Sequence, residues 1–83
     1  MSREEILSAL TEIFRENFDD ETLSISAGTT QEDIEEWDSL EQINLLTAAE
    51  ERFGVKFTLE DVRGVVSVGD MAALVQRALE GKS

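Results

Sequence analysis

The chain has 83 residues, 19 of them acidic and 7 basic, for a formal net charge of −12; this length bounds it to one small domain over residues 1–83. It contains neither Cys nor His, which excludes a disulfide, a thiolate nucleophile, the usual general base and the commonest metal ligands. No Lys or Arg occurs between Arg15 and Arg52, while that interval holds twelve carboxylates from Glu16 to Glu51; this argues against nucleic acid and anionic membranes as partners and favours a protein with a basic surface.

The absence of Pro favours helices throughout. Ser2 and Glu5 have the spacing of a capping box, and Ile6, Leu7, Leu10, Ile13 and Phe14 recur on one helical face. The pattern predicts a first helix over 3–17, with Phe18 continuing its contacts. Residues 19–37 are polar and aperiodic apart from Leu23, Ile25 and Ile34. A connection of this length in a compact domain is unusual. It is expected to be an ordered crossover pinned by those three residues, with a turn at Gly28 and a single helical turn over 31–35 capped by Thr30 and Asp33.

Asp38 then stands where an N-cap is needed, with Glu41 three residues on in a variant capping box. A second helix is expected from Ser39 to Phe53. Its apolar residues, Leu40, Ile43, Leu45, Leu46, Ala48, Ala49 and Phe53, cover more than one stripe, so it packs on several sides or packs on one and binds on another. Arg52 suits its C-terminal dipole and Gly54 the left-handed position beyond it. Val55–Phe57 read as an extended link. Thr58 and Asp61 cap a short third helix over 59–63, ended by Gly64. Ser67 and Asp70 repeat the spacing before a last helix over 68–80, in which Gly69 costs up to ~1 kcal/mol relative to Ala. The expected fold is all-α, a monomeric bundle of three main helices and one short one. Its expected core is Ile6, Leu10, Ile13, Phe14, Leu45, Ala49, Phe53, Val62, Met71, Leu74 and Val75. No signal or transit peptide and no long apolar run is present, so a soluble cytoplasmic protein is expected.

Ser39 falls in the first turn of the second helix, where its N–H needs no intrahelical partner and its hydroxyl can face solvent. Trp37, the one tryptophan, is expected to be a packing anchor, the alternative being partial exposure beside Ser39. A hydrophobic staple would need an apolar residue at position 42, which is Gln, so Trp37 is expected to pack elsewhere.

Helix, long loop, Trp37-Asp38-Ser39-Leu40, helix, short helix, helix: this order resembles the acyl and peptidyl carrier proteins over nearly the whole chain. Glu50-Glu51-Arg52-Phe53-Gly54, Ser67-Val68-Gly69-Asp70-Met71 and Thr30-Gln31-Glu32-Asp33-Ile34 support the likeness; the last resembles free-standing members that carry Trp before Asp-Ser-Leu. The resemblance implies that Ser39 receives 4′-phosphopantetheine from coenzyme A, catalysed by a phosphopantetheinyl transferase. It implies a carrier that is not an enzyme, holding acyl or aminoacyl groups as thioesters. Its implied partners are an acyl- or aminoacyl-loading ligase and a downstream synthase or transferase, contacted through Asp38, Leu40, Glu41 and Ile43. Glu36 and Trp37 stand where many fatty-acid carriers have Gly, and Asn44 is neutral where many are acidic, which points to a specialised biosynthetic pathway. The expected cargo is short and stays outside the bundle, because Phe14, Phe18, Phe53 and Phe57 fill space.

Three other readings compete with this one. A small acidic adaptor without a prosthetic group accounts for charge and helices but makes Ser39 accidental. A calcium sensor fails because no stretch spells the required loop. An enzyme in its own right lacks carboxylates in apolar settings that would raise a pKa.

Overall fold

The computed structural model describes residues 2–81, so Met1, Lys82 and Ser83, at the ends of the expected domain, lie outside the described residues. Four helices follow in order: α1 (Arg3–Asn17), α2 (Ser39–Phe53), α3 (Leu59–Arg63) and α4 (Val68–Gly81). The expected bounds are met, except that α4 runs through Gly81.

Each start is fixed by a short polar side chain. Ser2 and Glu5 exchange backbone N–H bonds in a complete capping box, as do Thr58 and Asp61. At α4, the Ser67 hydroxyl accepts the Asp70 N–H at 3.1 Å, and the Asp70 carboxylate accepts the N–H of Val66, also at 3.1 Å. Gly54 ends α2 in the left-handed conformation, φ 67°, which costs a glycine little.

α1 packs against both α2 and α4, more extensively than those two pack on each other. The core joins Ile6, Leu10, Ile13 and Phe14 of α1 to Leu45, Leu46, Ala49 and Phe53 of α2 and to Val68, Met71, Ala72, Leu74 and Val75 of α4. All the expected core residues are buried except Val62, which is half-buried against the core. Ile34, Trp37, Val55 and Val65 also belong to the core; isolated apolar residues between helices carry no periodicity that would mark them.

The 19–37 segment is an ordered crossover. Leu23 and Ile25 lie against the core and Ile34 is buried within it. The Arg15 Nε–H donates to the Leu23 carbonyl at 2.6 Å. The turn at Gly28 is present, closed by the Thr29 N–H donating to the Ser26 carbonyl. The Asp33 carboxylate accepts the Thr30 N–H at 2.9 Å, but residues 31–36 form turns and a bend rather than the expected helical turn. The local bonds there close two successive tight turns, Asp33 N–H to the Thr30 carbonyl at 3.0 Å and Trp37 N–H to the Ile34 carbonyl at 3.1 Å, which carry Ile34 and Trp37 into the core in place of one continuous helical turn. Thr30 forms an antiparallel bridge with Ser67, and the Val68 and Gly69 N–H groups donate to the carbonyls of Thr29 and Ala27 at 2.8 and 2.9 Å. The crossover is thus stitched to the start of α4 through residues 27–30. Among the described residues, no helix is long and apolar enough to cross a membrane.

Candidate functional site

The start of α2 is organised by Asp38. Its carboxylate accepts the Glu41 N–H at 2.9 Å and its carbonyl accepts the Gln42 N–H at 2.9 Å. The carboxylate satisfies one of the four orphan donors, the Glu41 N–H, while the Gln42 bond is the first within the helix; a second orphan, the Asp38 N–H, donates to the Glu36 carbonyl at 3.1 Å. The N–H groups of Ser39 and Leu40 remain outward, and Ser39 is exposed. Among the described residues its hydroxyl makes no hydrogen bond. An unengaged hydroxyl beside two free N–H groups at a helix N-terminus can reach another protein's active site and tolerate a phosphate diester.

The reciprocal half of the expected capping box does not form. Instead of reaching back to Asp38, the Glu41 carboxylate accepts from Asn44 Nδ2 at 2.9 Å and from Asn17 Nδ2 at 3.3 Å. It ties α2 to the end of α1. Of the expected partner-binding residues, Asp38 is exposed, Leu40 is 67% and Ile43 56% exposed, and Glu41 is half-buried. α2 therefore divides as its wide apolar surface suggested: Leu45, Leu46, Ala49 and Phe53 face the core, while Leu40 and Ile43 face out beside Ser39.

A shallow apolar groove of about 320 Å³ starts at Ser39 and runs between α2 and α3, lined by Gln42, Ile43, Leu59, Val62, Val65 and Val66. It adjoins a second depression of about 280 Å³ that shares Ile43, Leu59 and Val62 and reaches Leu46, Glu50 and Phe57. Leu59 and Val66 are as exposed as Leu40 and Ile43. Sequence reasoning did not place α3 at the site, since nothing in a five-residue helix fixes its neighbour.

Beneath the groove lies Gln42, 7% exposed and the one buried polar side chain among the described residues. Its Oε1 accepts from Trp37 Nε1 at 2.8 Å and from Gln31 Nε2 at 3.4 Å. Its Nε2 donates to the carbonyls of Val65 and Val62 at 2.8 and 3.3 Å. Trp37 is buried, as expected for an anchor, with its ring edge-on to Phe14 at 5.1 Å. The expectation that it meets no partner at position 42 is corrected: the staple is closed by a hydrogen bond instead of an apolar contact. A tryptophan carries a donor, and that donor was the available signal. No group of three or more acidic side chains among the described residues could hold a metal ion.

A family profile described as the phosphopantetheine attachment site matches residues 8–75, most of the chain. The chain is 38% identical over 77 residues to an acyl carrier protein of Kineococcus radiotolerans, covering 93% of this chain and 95% of that one. The chain belongs to the acyl carrier protein family. It is also 32% identical to the meromycolate extension acyl carrier protein of Mycolicibacterium aurum, covering 95% and 81% of the two chains. The solution structure of a holo acyl carrier protein from Geobacter metallireducens superposes with a TM-score of 0.85 at 40% identity, covering 93% of this chain and 88% of that one. The Thermotoga maritima acyl carrier protein superposes at 0.88 with 22% identity over all of this chain and 96% of that one, a likeness of fold. The cofactor of this carrier is 4′-phosphopantetheine. The chain is a carrier and not an enzyme.

Proposed function

We propose that Ser39 is the residue that receives the 4′-phosphopantetheine arm. The observation that carries this reading is its position: an exposed, unengaged serine at the first position of α2, inside the matched region, with free N–H groups beside it. In the loading step the Ser39 Oγ attacks the phosphorus of coenzyme A that bears the pantetheine. The new Oγ–P bond replaces the bond to the nucleotide, which leaves as adenosine 3′,5′-bisphosphate, and the hydroxyl proton passes to a base of the transferase. The arm supplies a thiol on which cargo rides as a thioester. This chain supplies position and a docking surface.

Residues 1–83 are read as one carrier domain, supported by a core to which α1, α2 and α4 all contribute. Its partners are a phosphopantetheinyl transferase, a ligase that loads the cargo and a synthase or transferase that takes it. Asp38, Leu40 and Ile43 form the proposed contact surface, widened by Leu59 and Val66. Glu41 contributes charge from the edge of that surface. The cargo is proposed to be a short acyl group of a specialised pathway. Glu36, Trp37 and Asn44 support the pathway, and the names of the relatives favour acyl over aminoacyl cargo.

The test is intact mass after incubation with coenzyme A and a phosphopantetheinyl transferase. The wild type should gain one phosphopantetheinyl group and Ser39→Ala none. Modification of the alanine variant would assign the arm to another residue.

A further inference from the structure

The groove between α2 and α3 ends on a polar floor, and that floor is one side chain. Gln42, one helical turn on from Ser39, holds together Trp37 Nε1 of the crossover and the carbonyls of Val62 and Val65 at the end of α3. No buried side-chain polar atom among the described residues lacks a partner. Leu46, Val68, Phe14 and Trp37 are all buried in the core, the last two rings edge to face at 5.1 Å. Above it lie Ile43, Leu59 and Val66, all open to solvent.

We propose that Gln42 determines where the cargo goes: it bars an acyl chain from the interior and confines it to the surface groove along Ile43, Leu59 and Val62. This rests on Ser39 bearing the arm. A chain entering the interior from the Ser39 end of the groove, where Gln42 lines it, must displace the Gln42 amide; the adjoining depression is floored instead by the buried Leu46. Gln42 itself would regain water by swinging outward, but the indole N–H and the two carbonyls would then face hydrocarbon with no partner. Each such group carries the full penalty of an unsatisfied buried polar atom. The methylenes gain little in exchange, because the groove already covers part of their surface without breaking anything. The alternative of a chain-filled core would suit an apolar residue at position 42, with the groove floor free to part.

The test uses the protein carrying an octanoyl-phosphopantetheine arm, transferred from octanoyl-coenzyme A and verified by intact mass. Its methyl and indole NMR signals are compared with those of the unacylated holo form. The chain has one tryptophan, so the indole N–H is a unique reporter of the Gln42 bond. In the wild type, octanoylation should move the methyls of Ile43, Leu59 and Val62. It should leave those of the fully buried Leu45, Val68 and Met71 in place, and indole exchange should change by less than about twofold. In Gln42→Leu, of similar volume but unable to bond, indole exchange should accelerate on the order of tenfold, and octanoylation should now move Leu45 and Val68. Movement of Leu45, Val68 and Met71 in the octanoylated wild type would overturn the proposal, as would an octanoylated Gln42→Leu whose changes stay within the groove. If Gln42→Leu does not fold, the wild-type spectra decide alone. Failure of the wild type to gain mass is a separate result: it would overturn the assignment of the arm and this inference with it.

Discussion

A methyl group at position 69 would sit 2.7 Å from the Ala27 carbonyl oxygen, where backbone meets backbone and neither can turn aside. Gly69→Ala should therefore destabilise, by about 1–3 kcal/mol as for other overpacked sites. Helix propensity alone says the opposite, a gain of up to about 1 kcal/mol. Thermal melting separates the two, because each kcal/mol moves the midpoint of a domain this size by about 4–8 °C. A higher midpoint would mean that the crossover yields. The sequence placed Gly69 in the first turn of α4 but gave no sign of the segment that lies against it, since such an approach depends on tertiary structure. Ser39→Ala tests a residue whose setting was readable. Asp38 announces the cap, the cap fixes the first turn, and the first turn leaves position 39 exposed. The variant should keep its melting free energy within about 0.5 kcal/mol while losing the arm; a larger loss would show that the hydroxyl holds structure. Gln42 lay between these cases. Its helical position was readable, but its burial was not, because a polar residue is ordinarily assigned to the solvent face and only the indole donor at Trp37 argued otherwise.

Among the helices, α3 has the weakest hold. None of its residues is fully buried, so it contributes little apolar area. It depends on its capping box, on the Gln42 bond to the Val62 carbonyl and on a 4.0 Å approach of Arg77 to Asp61. The Asp61 carboxyl lies below the usual aspartate range, chiefly because it accepts the Thr58 backbone N–H. The Glu5 carboxyl is lowered in the same way by the Ser2 N–H. A depressed folded pKa means that the stabilisation is fully present above the unfolded value and is lost as pH falls through the folded one. The Thr58 and Ser2 amide shifts should therefore titrate with midpoints below the ordinary carboxylate range, and α3 should loosen across that window. Midpoints at the ordinary values would show that the caps do not persist in solution. α2 invites a different test. Leu40 and Ile43 are exposed, so Leu40→Ala and Ile43→Ala should leave melting nearly unchanged. If the proposed surface is correct, loading by the transferase should fall, on the order of fivefold or more for a residue that anchors the contact. Glu41→Lys is a poorer probe of docking charge than its place in the sequence suggested. Its carboxylate also joins Asn17 and Asn44, so reversal would disturb the α1–α2 junction.

Across the whole molecule the unbalanced charge is the controlling feature. Nineteen carboxylates face seven cations. Among the described residues there are two ion pairs, Arg52 with Glu12 at 3.1 Å and the looser Arg77 with Asp61. The first is solvent-exposed on both sides and the second stands at 4.0 Å with Arg77 exposed, and pairs of that kind contribute little. The molecule measures 36 × 24 × 21 Å. At 0.01 M salt the Debye length is about 30 Å, so almost every carboxylate senses almost every other; at 0.15 M it is about 8 Å, and only near neighbours interact. The unfolded chain spreads the same charges over a larger volume, so repulsion at low salt weighs more heavily on the folded state. Raising salt from about 0.01 to 0.15 M should therefore raise the melting midpoint, each kcal/mol of relieved repulsion appearing as about 4–8 °C. The same addition should slow loading, because the attraction between an acidic carrier and a basic partner surface is screened as well. These opposite signs make the pair of measurements decisive. A midpoint that falls with moderate salt would show that favourable ion pairs outweigh self-repulsion. A loading rate indifferent to salt would show that the carboxylates keep the carrier in solution and that docking rests on Leu40, Ile43, Leu59 and Val66.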